Sequence, residues 1–128
     1  MKFKLFVLGI LWCSVSFGQT KQTGFDALGK GDVDALIALF DNPVELCLED
    51  KLEILDKTSA RKAMKIFFDK NPPKSLKPIH NGVSKGQDSR YYIGLYSTSN
   101  NNLFRVFIYA DETGGKKLIK ELRILKEN

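Results

Sequence analysis

Cysteine and histidine are scarce in this chain of 128 residues, which has two cysteines, Cys13 and Cys47, and a single histidine, His80. Structural zinc sites are built from four Cys or His ligands. The sequence lacks that ligand set, and we expect no bound metal. Motifs for nucleotide binding and acyl transfer are also missing, since there is no P-loop, no G-x-G-x-x-G and no G-x-S-x-G. We therefore expect no cofactor and assign no catalytic residue.

The sequence also lacks an apolar run of about 20 residues, the length that a membrane-spanning helix needs. Its longest apolar run, Leu5–Cys13, follows two lysines and precedes Ser16-Phe17-Gly18. A positive start, a short apolar core and small residues at the two positions that a signal peptidase reads are typical of a signal peptide. We expect cleavage of residues 1–18 before Gln19, no transmembrane segment, and export to the periplasm or the medium.

Two other interpretations of this start remain open. The apolar run could be a buried first helix, although the polar stretch Gln19–Gly24 behind it is typical of a frayed terminus. Cys13 could carry a lipid, although the residue before a lipidated cysteine is normally small and here is Trp12. After cleavage Cys47 would be the one remaining cysteine, so a disulfide within the chain is excluded even in a compartment that permits one.

No stretch of the chain concentrates charge of one sign. There are 20 Lys and Arg residues against 15 Asp and Glu, a formal net charge of +5 that cleavage would lower to +3 by removing two lysines. Basic and acidic residues are interleaved, and the adjacent basic pairs are Arg61-Lys62 and Lys116-Lys117. A nucleic-acid-binding protein concentrates basic residues on one surface, so we expect no nucleic-acid partner.

Residues 19–128 are expected to form one domain with three helices, since no repeat or linker divides them. The first helix is short and covers Phe25–Lys30. The second is capped by Asp32, and its apolar residues recur at helical spacing: Val33, Leu36, Ile37 and Phe40. The third is capped by Thr58 or Ser59, and its apolar side consists of Ala60, Ala63, Met64, Phe67 and Phe68.

Strand patterns occupy the remaining segments. The alternation in Val44–Leu48 predicts a half-buried strand, with Leu52–Leu55 as a short partner. Pro78 confines the segment Leu76–Val83 to a sheet edge or a bulge. Three longer strands follow, joined by hairpin loops: Ser89–Thr98, Leu103–Ala110 and Lys116–Leu125. This order predicts an α+β fold with two to three helices on one face of a curved, mostly antiparallel sheet.

Several motifs carry a resemblance to the nuclear transport factor 2-like superfamily, also described as cystatin-like or SnoaL-like. They are Gly31–Leu36, the helical segment Lys62–Phe68 and the final meander. The chain is most similar to an uncharacterised family (a domain of unknown function) of small secreted bacterial proteins, through Asn71-Pro72-Pro73, His80-Asn81-Gly82, Tyr92-Ile93-Gly94 and Phe104-Arg105-Val106. The resemblance covers roughly residues 24–126 and implies a cone-shaped fold. It leaves the function open, because the superfamily includes isomerases, dehydratases, transport factors and binding modules.

If Thr98 pairs with Leu103 and Ala110 pairs with Lys116, the residues on each face of the sheet can be assigned. The face toward the helices is then almost purely apolar, with Ile93, Leu95, Phe104, Val106, Ile108, Leu118 and Leu122. The opposite face has Tyr92, Gly94, Tyr96, Arg105, Phe107, Tyr109, Ile119 and Glu121. A bulge near Lys120-Glu121 is expected, because residues on both sides of it favour burial.

Large rings that are exposed together are unusual on a monomer, so we expect something to cover the second face. The resemblance implies a second copy, because members of the superfamily often pair sheet against sheet. We predict a homodimer whose interface includes Tyr96, Arg105, Phe107 and Tyr109. The alternatives are cover by the C-terminal tail or a loop, or rings that stay half exposed.

The candidate ligand-binding residues are the polar and aromatic groups close to this face: His80, Tyr92, Tyr96, Arg105 and Glu121. In the assumed register Arg105 lies opposite Glu121, which favours an ion pair or, with Tyr96 beside it, a ligand anchor. His80 either bonds to neighbouring backbone or lines a pocket with Tyr91 or Tyr92.

The helix-facing side has no carboxylate and no tyrosine in this register, so acid–base chemistry of the isomerase kind has neither base nor donor there. The favoured prediction is a non-enzymatic binding or protein-interaction module. The alternative is a small-molecule isomerase- or dehydratase-type enzyme with its site in the cone pocket, built on His80, a nearby tyrosine and Arg105 or Glu121. It requires a cavity of roughly a few hundred Å³ that reaches two titratable groups.

Overall fold

The computed structural model of the protein describes residues 24–83, 89–112 and 117–127. The expected signal peptide, the cleavage site and Lys116 lie outside these residues. The helices are α1 (Phe25–Lys30), α2 (Val33–Ala38) and α3 (Lys57–Lys70). The strands are β1 (Phe40–Leu48), β2 (Lys51–Leu55), β3 (Pro73–Val83), β4 (Ser89–Thr98), β5 (Leu103–Asp111) and β6 (Leu118–Lys126).

The six strands form one mixed, curved and unclosed sheet in the order β2-β1-β6-β5-β4-β3. Neighbouring strands are antiparallel except β1 and β6, which run parallel. All three helices pack on one face of this sheet, around one cluster of buried apolar side chains. The predicted α+β class and the predicted order of elements are confirmed.

Helix α2 ends two residues earlier than its apolar spacing suggests. Phe40 belongs to β1 and pairs with Ile119 of β6, whose N–H donates to the Leu39 carbonyl at 2.7 Å. Phe40 is nevertheless buried, with 1% of its surface exposed. The spacing therefore predicted the burial of this ring, whereas the parallel pairing with a strand far along the chain decided its conformation. The predicted cap of α2 is confirmed, since Asp32 Oδ1 accepts the Ala35 N–H at 3.1 Å.

The third helix begins one residue before its predicted cap. Asp56 is the capping residue, and its Oδ1 accepts the Ser59 N–H at 2.8 Å. Carboxylate oxygens at this position satisfy backbone donors that have no partner within the helix. The predicted apolar side of α3 is confirmed by its buried residues, which are Ala60, Met64, Phe67 and Phe68. The predicted edge position of Pro78 is also confirmed, because β3 ends the sheet and has a bulge between Pro78 and His80.

Strand β4 faces the opposite way from the prediction. Leu103 pairs with Ser97 and not with Thr98, whose N–H instead donates to the Asn102 carbonyl at 3.0 Å. The loop is thus three residues long, and Asn101 adopts the left-handed conformation, with φ of 69°, that such a loop requires. A shift of one residue inverts every side chain of a strand. The side chains that consequently face the helices are those of Tyr92 and Tyr96, whereas Ile93 and Leu95 face away.

The start of β6 differs from the prediction in a related way. Ala110 pairs with Ile119, while Tyr109 pairs with Glu121, so that Lys120 is the extra residue of the predicted bulge. Ile119 therefore faces the helices and is fully buried, and Leu118 lies on the other face. The prediction had these two residues reversed, because it assumed that Ala110 pairs with Lys116.

Candidate functional site

Aromatic rings fill the space between α3 and the sheet. Phe67 contacts Tyr96 and Phe104, with ring centroids 5.8 and 5.3 Å apart. Tyr96 is fully buried, its hydroxyl donates to the Asn71 carbonyl at 2.7 Å, and burial raises its pKa above the ordinary value. Tyr96 thus belongs to the core. It does not share a face with Arg105, Phe107 and Tyr109, because the register of β4 is shifted by one residue.

A polar cluster lies at one end of the same, helix-facing side. The Tyr92 hydroxyl donates to Glu112 Oε2 at 2.9 Å and accepts from Lys117 Nζ at 3.2 Å. Glu112 also pairs with Lys117 at 3.2 Å and with Arg90 at 3.6 Å. Sequence reasoning missed this cluster, because the assumed register placed Tyr92 on the other face and Glu112 follows directly after the end of β5.

Protonation states in this cluster are set by burial and by its hydrogen bonds. Burial first, and then the bond to Glu112, raise the pKa of Tyr92 to about 12. Burial acts to raise the pKa of Glu112 as well, but the hydrogen bonds from Tyr92 and Lys117 outweigh it and hold that pKa below its usual value. At neutral pH Tyr92 is therefore a hydrogen-bond donor and Glu112 an anion.

His80 lies apart from this cluster. It is exposed on the edge strand β3, pairs with Ile93, and has its Nε2 3.5 Å from the Tyr91 hydroxyl. Tyr92 pairs with the next residue, Asn81, and faces the helices. His80 and Tyr92 are consequently on opposite faces of the sheet, and of the two predicted neighbours, Tyr91 and Tyr92, the one close to His80 is Tyr91.

The predicted pair between Arg105 and Glu121 is wrong. Arg105 is the register partner of Leu125, and its Nε donates to Glu127 Oε2 at 2.7 Å. Glu121 accepts instead from the Nε of Arg123. The two predicted partners are four residues out of register: Ala110 pairs with Ile119 and not with Lys116, which shifts β6 by three residues, and the bulge at Lys120 adds one more.

The sheet face turned away from the helices, here termed the outer face, is apolar and aromatic at its centre. The structure places Arg105, Phe107 and Tyr109 on it, as predicted, together with Tyr91 of β4. Tyr91 and Phe107 stack with ring centroids 6.1 Å apart and planes 10° from parallel. The aliphatic residues around these rings are Ile93, Leu95, Leu103 and Leu125. Each central ring is half-buried among its neighbours.

Several grooves open among the described residues, one of them of about 270 Å³ between α3 and the strands β1 and β2. Another, of about 370 Å³, lies at one end of the outer face and is lined by Pro43, Val44, Glu45, Ile54, Tyr109, Lys120 and Glu121. A third, of about 380 Å³, lies between the two short helices, against Asp26, Lys30, Asp32 and Leu39. All three reach titratable groups, but none contacts Tyr92 or His80.

In residues 24–83, 89–112 and 117–127, no three His, Cys, Asp or Glu side chains converge in a way that could hold a metal ion. Over the same ranges, no helix is long and apolar enough to cross a membrane.

Comparison with known proteins gives one family and one fold. The family described as "Domain of unknown function (DUF4783)" matches residues 23–124. Among proteins with curated descriptions, none matches the chain. A DUF4783 family protein from Bacteroides ovatus is 28% identical, with a TM-score of 0.76, over 85% of this chain and 96% of that one. Another from Bacteroides uniformis is 25% identical, with a TM-score of 0.76, over 86% of this chain and 99% of that one.

More distant structures share the fold. An NTF2-like protein of unknown function from Shewanella baltica has a TM-score of 0.63 at 11% identity, over 83% of this chain and 86% of that one. A protein with a cystatin-like fold from Nostoc punctiforme has a TM-score of 0.65 at 14% identity, over 82% of this chain and 84% of that one. The resemblance to this superfamily and to an uncharacterised family within it is thus confirmed.

Proposed function

Because this chain belongs to the DUF4783 family, a domain of unknown function, we propose its role from its own geometry: a non-enzymatic protein-interaction module that pairs through the outer face with a second copy. We further propose that it is exported through a cleaved signal peptide and acts in the periplasm or outside the cell.

The observation that carries the proposal is the apolar and aromatic centre of the outer face. An antiparallel sheet that faces water on one side normally presents polar residues there. Here the open positions hold the stacked rings of Tyr91 and Phe107, with Ile93 and Leu95 beside them. Contiguous apolar surface of this kind marks interaction sites on proteins. A second copy offers a matching surface, since an interface with twofold symmetry uses the same patch on both subunits.

Sedimentation equilibrium of the purified protein tests the pairing. We expect a dimer for the wild type and a folded monomer for Phe107→Glu, because a charge at the centre of an apolar interface is costly to desolvate. Ile66→Glu is the matched control, since Ile66 is 58% exposed but lies on α3, away from the outer face. A wild type that stays monomeric over the micromolar range, or a Phe107→Glu variant that stays dimeric, would contradict the proposal.

A small-molecule isomerase or dehydratase is the second candidate, and the cluster of Tyr92, Glu112 and Lys117 favours it. A tyrosine held protonated next to a carboxylate is the kind of donor that stabilises an oxyanion. Deuterium exchange at the α-carbon of simple ketones tests this candidate. Exchange that depends on the wild-type chain and is lost in Tyr92→Phe would support it, and a rate equal to that of buffer would contradict it.

A further inference from the structure

The outer face carries opposite charges at its two ends, on either side of Phe107. Tyr109 is two residues after Phe107 on β5. Its register partner on β6 is Glu121, which in turn pairs with Glu45 on β1, so that these three residues form a row across the strands. Toward the other end, also two residues along β5, Arg105 lies in a row with Leu95 and Lys77. Each of these rows is about 7 Å from the Phe107 row, given the rise of a β-strand. The face therefore has acidic residues at one end and basic residues at the other, and its middle row holds Ile93 and Phe107 with Arg123 beside them.

The acidic row has more negative than positive charge close by. Glu45 and Glu121 are register partners on the parallel strands β1 and β6, and both are half-buried. Among the described residues, Arg123 binds Glu121, and Lys120, which lines the same groove, binds Asp41 at 2.7 Å. Neighbouring like charges on a sheet are unfavourable, so a further cation placed over this row would lower the energy.

The basic row has donors to offer. Arg105 is 48% exposed, and its Nε is the donor that binds Glu127. A guanidinium has five N–H donors in a fixed fork, so the terminal nitrogens of Arg105 are suited to bind a carboxylate from outside the chain. Guanidinium groups also stack on aromatic rings, and Tyr109 is the ring in the acidic row.

We infer that the strands of the second copy run in the opposite direction to those of the first across the interface. Arg105 of each copy then lies over Tyr109 and Glu121 of the other, and Phe107 meets Phe107 of the other copy. This inference rests on the proposed pairing through the outer face and adds its register. A twofold axis that lies in the interface and crosses β5 at Phe107 exchanges the two ends of the face. It therefore superposes the basic row of one copy on the acidic row of the other, twice, by symmetry. The groove beside Glu45 and Glu121 receives the arginine.

Charge reversal followed by mixing tests this register. Arg105→Glu and Glu121→Arg should each raise the dissociation constant of the dimer about tenfold or more, because each places like charges over one another. An equal mixture of the two variants should form a mixed dimer with a dissociation constant within about threefold of the wild type, since each introduced charge then faces its opposite. The pairs within each chain that involve Glu127 and Arg123 remain broken in the mixture. Recovery on mixing can therefore arise only from contacts between copies.

Lys62→Glu is the matched control, since it makes the same charge change on an exposed position of α3. It should leave the dissociation constant unchanged, and circular dichroism should show all variants folded. Single variants that associate as the wild type does, or a mixture that recovers nothing, would overturn the inferred register. In that case loss of the dimer in Phe107→Glu would leave the proposed pairing intact. A monomeric wild type would overturn both.

Discussion

At the scale of single residues, Tyr96 shows how a polar group is accommodated in this core. Its hydroxyl is fully buried and donates to the Asn71 carbonyl at 2.7 Å, and Asn71 itself is 6% exposed. Both groups would be unsatisfied without the other. The bond therefore ties the end of α3 to the last residues of β4.

Removing this hydroxyl should destabilise the protein. We expect Tyr96→Phe to lower the free energy of unfolding by about 1–2 kcal/mol, because it leaves a buried carbonyl without a donor. Urea denaturation measures the change. Tyr91→Phe is the control and should stay within about 0.5 kcal/mol of the wild type, since that hydroxyl is 3.5 Å from the exposed His80. Equal stability of Tyr96→Phe and wild type would contradict the buried bond.

Tyr92 should make the stability of the protein depend on alkaline pH. Its pKa is raised from 10 to about 12 in the folded chain, mainly by burial. A group whose pKa is raised on folding contributes stability below its unfolded pKa, and that contribution is lost as the pH rises through the folded value. We expect unfolding free energies to fall more steeply between pH 10 and pH 12 in the wild type than in Tyr92→Phe. Parallel curves for the two proteins would exclude a raised pKa.

At the scale of elements, the short helix α1 depends on the glycine that ends it. Gly31 has φ of 67°, in the left-handed region, and its N–H reaches the carbonyls of Ala27 and Leu28. A β-carbon there would be strained and would lie 3.2 Å from Pro73 Cγ. The backbone conformation of Gly31 thus allows α1 to end next to the start of β3.

Two glycine substitutions, one inside α1 and one at the residue that ends it, should therefore differ in their effects. Gly31→Ala should lower the free energy of unfolding by about 1 kcal/mol, the usual cost of a left-handed conformation for alanine. Gly29→Ala should leave it unchanged or raise it by about 0.5 kcal/mol, because Gly29 is inside the helix and its added β-carbon would meet Leu76 at an ordinary 3.5 Å. Midpoints of urea unfolding compare the two. A Gly31→Ala variant as stable as Gly29→Ala would show that no strain exists at this position.

The strands show why the order of the elements is easier to predict than the face of the sheet on which each side chain lies. The pattern of Ser89–Thr98 contains apolar or aromatic residues on both sides, so alternation alone does not say which side is buried. The facing depends on whether the loop to β5 has three or four residues, and Asn101 in the left-handed conformation makes it three. For β5 the predicted orientation is confirmed: Phe104, Val106 and Ile108, which were predicted to face the helices, are all buried.

At the scale of the whole molecule, export requires a defined start of the mature chain. We expect mass spectrometry of the protein recovered from the periplasm or the medium to find Gln19 as its first residue. Gly18→Leu should block this cleavage, because a signal peptidase needs a small residue directly before the cut. Phe17→Leu, at a position the peptidase does not read, should be cleaved normally. A chain that begins at Met1, or that carries a lipid on Cys13, would contradict the proposed signal peptide.

The sequence by itself determined the order of the elements, the buried sides of the helices, the edge position of β3 and the bulge at Lys120. Each of these depends on local pattern: helical spacing, a proline without an N–H, or two apolar residues that both favour burial. The tertiary structure alone decided the end of α2, the facing of β4, the partners of Arg105 and the cluster of Tyr92, Glu112 and Lys117. These depend on register between segments far apart in the chain, where a shift of one residue exchanges the two faces of a strand.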